Sequence, residues 1–300
     1  MRTYTYCSGR YKTQRLISLT FTEVRERIEG VFSELSEGDL SFERRDQMVG
    51  HAAGIFVRNK IKEILSPHLD VLEPEDFLAE KLNPHKAIFA NAIDKRDFMK
   101  RLIIRLKGKW WWKLCFRSKS KVESYLSTNQ TLGYKQEDTP DIIIGLSQPV
   151  FLNIKSHNLE KKSRPPNIMS AKKLLDLFAW ITSQNPSNRT SILENIALLF
   201  VGVSWRQENH EIKFKSIEVR DLFALDLDQL PTINFDAAIQ IQWHVSDMVE
   251  LAPPLPRLNF VEKFVTTFNE RWGQHVSKRS KSIRMKTDQI LNWVHEDSAP

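Results

Sequence analysis

Thr139-Pro140-Asp141-Ile142-Ile143-Ile144 and, after a turn from Gly145 to Pro149, Val150-Phe151-Leu152-Asn153-Ile154-Lys155 are the stretch on which the fold turns. Two apolar runs around a Gly- and Pro-bounded turn predict a hairpin, with one strand over Ile142 to Ile144 and the next over Val150 to Ile154. Side chains two apart on a strand share a face, so Asn153 and Lys155 look the same way. Asp141 opens the neighbouring strand, which lets a carboxylate, an amide oxygen and an ammonium converge. Oxygens from Asp141 and Asn153, with the backbone carbonyl of Ile154, suit a hard divalent ion such as magnesium. Such an ion polarises a phosphodiester and acidifies a bound water. Lys155 can stabilise developing negative charge or orient the attacking water. The alternative on the same residues is an ordinary Asp141–Lys155 salt bridge, with Asn153 as a turn or edge residue.

Working outward, Thr20 to Leu35 predicts a helix, with Phe21, Val24, Ile28, Val31, Phe32 and Leu35 at three- and four-residue steps and a Thr20/Glu23 capping box. A second helix begins near Gly54 and stops at Pro67. His68 to Arg101 reads as loops with short helices. After the hairpin, Met169 to Ile181 predicts a helix capped by Asn167 or Ser170. Ile196 to Val203 predicts a buried strand and Ile212 to Val219 a half-buried one. Ala237 to Val245 alternates as a strand, with Gln240, Gln242 and His244 opposite its apolar face. A last helix covers Leu258 to Trp272.

The chain has 300 residues, room for one large domain or two ordinary ones, and 41% are hydrophobic, enough for a core. Lys and Arg number 44 against 37 Asp and Glu, and the net charge of +7 fits a polyanionic partner. Two cysteines, Cys7 and Cys115, exclude a disulfide scaffold and a thiolate zinc site and suit a reducing cytoplasm. The start carries no apolar signal core, and the longest apolar run, Ile196 to Val203, is too short for a membrane span. Neither GxGxxG nor GxxxxGK[ST] occurs, so no nucleotide cofactor is expected. Trp110, Trp111 and Trp112 stand among Lys107, Lys109, Lys113, Arg117, Lys119 and Lys121, which reads either as a nucleic-acid clamp or as a Trp-rich core segment with a basic edge. Lys278, Arg279, Lys281, Arg284 and Lys286 form a second basic run, a solvated helix face or a DNA-backbone contact. His51 reads as a phosphate contact or a loop hydrogen bond, and His244 as a structural or DNA-facing residue.

Four segments in order resemble a known family. They are Gly50-His51-Ala52-Ala53-Gly54, the Asp141…Asn153-Ile154-Lys155 set, Pro166 to Leu174, and Ile233 to Val245. In them the chain resembles the HincII-type type II restriction endonucleases of the PD-(D/E)xK nuclease superfamily. The resemblance implies an α/β, EcoRV-like restriction-endonuclease fold with a mixed central sheet flanked by helices. It implies one endonuclease domain over residues 1–300, with a helical part over about 1–105 and a catalytic and recognition core over about 106–250. It implies a prokaryotic, cytoplasmic homodimer that uses magnesium to cut double-stranded DNA at a short palindrome. Asp141, Asn153 and Lys155 match the catalytic positions. Arg164, Pro165 and Asn167 fall on the groove-reading segment, and Asn234 on a base-contacting asparagine. Phosphate contacts are expected at His51, Lys109 and Lys119. The second acidic position holds Asn153, which weakens ion affinity and leaves open a catalytically silent DNA-binding protein of the same fold. Asn153→Asp is expected to raise metal affinity. An acidic helix residue after the glycine motif is also missing, with Glu63 as a substitute. A basic scaffold protein using its tryptophans is the reading from another class.

Overall fold

The computed structural model describes residues 19–36, 42–43, 51–115, 118–128, 132, 140–160, 165–208, 211–236 and 239–297. Alternating hydrophobicity builds its centre, a six-stranded sheet ordered β1 (Phe42–Glu43), β7 (Glu211–Asp221), β6 (Leu198–Glu208), β4 (Val150–Asn158), β3 (Ile142–Ile144), β2 (Val71–Leu72). β4 and β6 run parallel, with Asn153 beside Phe200 and Lys155 beside Gly202, while the other pairs are antiparallel. A parallel pair needs a crossover, and here it contains β5 (Asn167–Ser170), α7 (Ala171–Thr182) and α8 (Pro186–Glu194). β5 joins β9 (Gln240–Gln242) and β8 (Thr232–Asn234) in a separate three-stranded sheet.

The two faces of the large sheet are covered differently. α1 (Phe21–Ser33) and α2 (His51–Leu65) bury Val24, Ile28, Phe32, Val57, Ile61 and Leu65 against Ile142, Ile144, Leu152, Ile154, Leu199 and Val201. The Thr20/Glu23 capping box closes the start of α1, with the Thr20 N–H donating to Glu23 Oε2 at 2.6 Å. On the other face, Ile143, Phe151, Leu198 and Phe200 pack with α3 (Pro74–Ala90), α4 (Lys95–Lys107), α5 (Trp110–Leu114), α6 (Lys119–Ser127), α7 and the start of α9 (Arg257–Asp297). Asn153, Lys155 and His157 have the parity of Phe151 and look toward this second face.

Several sequence expectations are corrected. His68 to Arg101 is not mostly loop: it holds β2, α3 and the first half of α4. Pro84 lies inside α3 and reads in sequence as a breaker, yet Phe77, Leu78, Leu82 and Phe89 bury one helical stripe, and tertiary packing overrides local preference. Asp94 caps α4, accepting the Asp97 N–H at 2.9 Å. The helix expected from Met169 begins at Ala171 with Ser170 as its cap, because Asn167–Ser170 is strand. Of the strand expected over Ala237 to Val245, Gln240–Gln242 is extended, and Val245 begins a 3-10 turn to Asp247. α2 begins before Gly54, and a Cβ at Gly54 would meet nothing within 4 Å. α9 runs far past Trp272 and carries the second basic run on exposed helix. Among the tryptophans the core alternative holds. Trp111 and Trp112 are buried, and Trp110 rests on Phe151 with ring centroids 4.9 Å apart.

Arg257 fastens α9 to the crossover. Its Nη1 donates to the carbonyls of Leu193 at 2.7 Å and Ile196 at 2.6 Å, at the C-terminal end of α8 where a cation is favoured, and its guanidinium lies 4.4 Å from the Phe223 ring centre. Gly202 is fixed by close approach: a Cβ there would fall 2.4 Å from Val245 Cβ. The 3-10 turn can therefore lie directly on β6 beside Lys155. Gly202→Ala is predicted to lower stability by about 1–3 kcal/mol through overpacking, read as a lower urea midpoint with unchanged slope.

Candidate active site

The site begins just before the first residue of β3. The Asp141 N–H donates to the Leu152 carbonyl at 2.8 Å, extending the hairpin ladder by one residue. The Asp141 carboxylate then takes the place of a ladder carbonyl, with Oδ2 accepting the Ile154 N–H at 2.7 Å. Lys155 Nζ stands 3.8 Å from the same oxygen, an ion pair too long for a hydrogen bond, and the two side chains are 25% and 20% exposed, Lys155 first. An acid and an ammonium thus meet, partly exposed, at one end of the β3–β4 hairpin.

Asn153 is deeper, at 1% exposure, and its Nδ2 donates to the Ile168 carbonyl on β5 at 2.8 Å. This bond ties the hairpin to the three-stranded sheet. The residues expected to read DNA lie on that smaller sheet or lead into it. Asn167 is exposed and its Oδ1 accepts from Gln242 Nε2 at 3.0 Å. Asn234, half-buried on β8, accepts the Asp236 N–H at 3.1 Å and pairs in register with Gln240. Pro165 is half-buried just before β5, and Arg164 lies outside the described residues. The side chain of His51 also lies outside them. Lys109 and Lys119 are exposed. Lys109 borders a cavity at the turn end of the hairpin, away from Asp141. Glu63 is exposed, pairs with Lys60 at 3.4 Å, and sits on the helix covering the opposite sheet face.

Sequence reasoning missed His157, although its two-residue step from Lys155 was legible. Its ring stacks on His244 with centroids 3.9 Å apart and an interplanar angle of 29°. Burial lowers the His157 pKa, the neighbouring His244 lowers it further, and Asp247 works the other way. His244 is therefore a structural partner of β4, held at the start of the turn that rests on Gly202.

The candidate donors are oxygens: the Asp141 carboxylate, the Asn153 amide and the Ile154 backbone carbonyl. Among the described residues no group of three or more His, Cys, Asp and Glu side chains forms a metal cage. Magnesium binds through one or two carboxylates and retains several waters, so this sparse oxygen set fits it, whereas zinc would ask for nitrogen or sulfur.

Two expectations follow from this geometry. Asn153→Asp removes the donor to Ile168 and sets a buried carboxylate against a carbonyl oxygen, so the metal-free protein should lose about 2 kcal/mol or more, measured by chemical denaturation. His157 has a native pKa below its unfolded value of about 6.5. Its contribution to stability is full above that value and is lost as pH falls from there through the lowered native value. Melting temperature should drop from pH 7 to pH 5, and His157→Gln should make the drop shallower.

Comparison with known proteins identifies the family. The family described as restriction endonuclease HincII matches residues 108–283, which include the hairpin, the three-stranded sheet and much of α9. The type II restriction enzyme HindII of Haemophilus influenzae is 27% identical over 202 residues, covering 66% of this chain and 72% of that protein. The type II restriction enzyme HincII of Haemophilus influenzae is 28% identical with the same coverage. With more than half its length matched by the family, the chain belongs to the HincII restriction endonuclease family.

Proposed function

We propose that this protein is a magnesium-dependent type II restriction endonuclease that acts as a homodimer, cutting both strands of a short palindromic DNA site to leave 5′-phosphate and 3′-hydroxyl ends. The observation that carries the reading is the meeting of Asp141 and Lys155 at 3.8 Å on neighbouring strands, beside the Ile154 backbone. Family membership and the basic charge support it. The packing of α1 to α4 on both faces of one sheet supports reading the whole chain as a single endonuclease domain.

Asp141, the Asn153 amide oxygen and the Ile154 carbonyl would hold the ion, which when bound supplies positive charge for the scissile phosphate and a more acidic water. The chain's own residues do the rest. The Ile154 N–H fixes one oxygen of Asp141. Lys155 directs its ammonium to the attacking water and offsets charge that develops on the phosphate. Asn167 and Asn234 offer amides of the kind that pair with adenine, with Arg164 and Pro165 completing the reading segment. His51, Lys109 and Lys119 contact phosphates and make binding salt-dependent. Two-fold symmetry gives each subunit one half-site and one strand.

Incubation of the purified protein with mixed-sequence plasmid DNA and magnesium should give discrete fragments. Lys155→Ala or Asp141→Ala should slow cutting about a hundred-fold or more. Intact DNA with tight, sequence-selective binding would instead support the silent DNA-binding protein. Absence of DNA selectivity together with indifference to both substitutions would support the scaffold reading.

A further inference from the structure

A cavity of about 330 Å³ opens at the turn end of the catalytic hairpin, walled by α3, α4, the start of α5 and the Ser147–Pro149 turn. Lys81, His85, Arg105 and Lys109 all line it, and no carboxylate does among the described residues. The chemistry proposed for DNA cutting uses Lys109 from this group and leaves the other three without a role. Pro149 and Asn153 are four residues apart on an extended strand, so the cavity stands roughly 13 Å from the Asp141 end of the hairpin.

The like charges are not isolated from one another. Lys81, nearly half buried, is pushed down in pKa by burial and then by Lys109; His85 is pushed down by burial and then by Arg105. Lys81 and Lys109 therefore repel across one concavity, Arg105 opposes a charge on His85, and an anion placed among these groups would relieve both effects. Lys81 is already positioned: its ammonium donates to the Leu146 carbonyl and lies 5.2 Å from the Phe77 ring centre. Gln148 adds a neutral polar group, and Trp110, half-buried against Phe151, adds an apolar wall.

We propose that this cavity is a second anion site that takes a phosphate monoester, the terminal phosphate of a small molecule. Four basic groups match a dianion better than a single carboxylate. The concave, half-open shape admits a phosphate and part of what bears it, whereas a duplex presents its phosphates on a convex ridge. The proposal goes beyond the nuclease reading and does not rest on it.

Calorimetric titration of the full chain with inorganic phosphate, and then with adenosine monophosphate, at constant ionic strength tests it. Saturable one-to-one binding is expected. Arg105→Gln should weaken it about ten-fold or more, in line with loss of a charge-assisted contact, and Arg105→Lys should restore part of it. Lys155→Ala should leave it unchanged. Arg105 is exposed on α4, and circular dichroism verifies that its variants fold; Lys109→Gln serves as a second weakening variant. Failure to saturate, equal binding by Arg105→Gln and the parent protein, or loss of binding in Lys155→Ala would overturn the assignment. Displacement of phosphate by an unphosphorylated duplex, sensitive to Arg105→Gln, would overturn it in favour of a DNA-backbone contact.

Discussion

The Ile154 N–H, given to the Asp141 carboxylate at 2.7 Å, joins two strands at the point where β3 stops supplying ladder carbonyls. A backbone donor there needs an acceptor, and a side chain provides it. The carboxylate is thereby held against β4, and the oxygen so bonded, Oδ2, is also the one 3.8 Å from the Lys155 ammonium. Moving Asp141 by one residue would reverse its face and break this arrangement, since strand parity leaves no intermediate choice. The register of the hairpin, set by Ile142 beside Leu152, Ile143 beside Phe151 and Ile144 beside Val150, is thus also the register of the candidate site.

The same parity organises the bulk of the protein. Odd-numbered positions of β4 from Phe151 look to the helices α3 to α7, and even-numbered ones to α1 and α2. Phe151 begins the odd row within packed hydrocarbon; Asn153, Lys155 and His157 continue it toward water. A single strand therefore passes from core to chemistry without a change of face. Gly202 on the neighbouring strand keeps that passage open by letting Val245 settle onto the sheet, and the His157–His244 stack closes its far end.

The hairpin was legible because its runs of Ile, Val, Phe and Leu are bounded by Pro and Gly, and its site residues followed from two-residue spacing. The α1 cap was legible because Thr20 and Glu23 are local partners. The helices α3 and α4 were hidden by Pro84 and by a charged, mixed surface, and their existence depends on burial against a sheet assembled from residues far along the chain. Asn153 shows the same limit within the site. As a metal-ligand position it could be named from order in the chain, but its bond to Ile168 joins residues 15 apart across two separate sheets, and no local pattern announces it. His157 was within reach of the parity argument. Its partner His244 was not, because 87 residues separate them and a 3-10 turn places the second ring.

The Asn153–Ile168 bond gives the two sheets a mechanical relation. β5 runs directly into α7, and its edge carries Asn167, so the small sheet is anchored at one end by a helix and at its middle by a side chain rooted in the hairpin. Any force that lifts or tilts β5 pulls on that amide directly. Mechanical strain in the smaller layer is delivered to the strand bearing Lys155 across one contact, two residues from the ammonium.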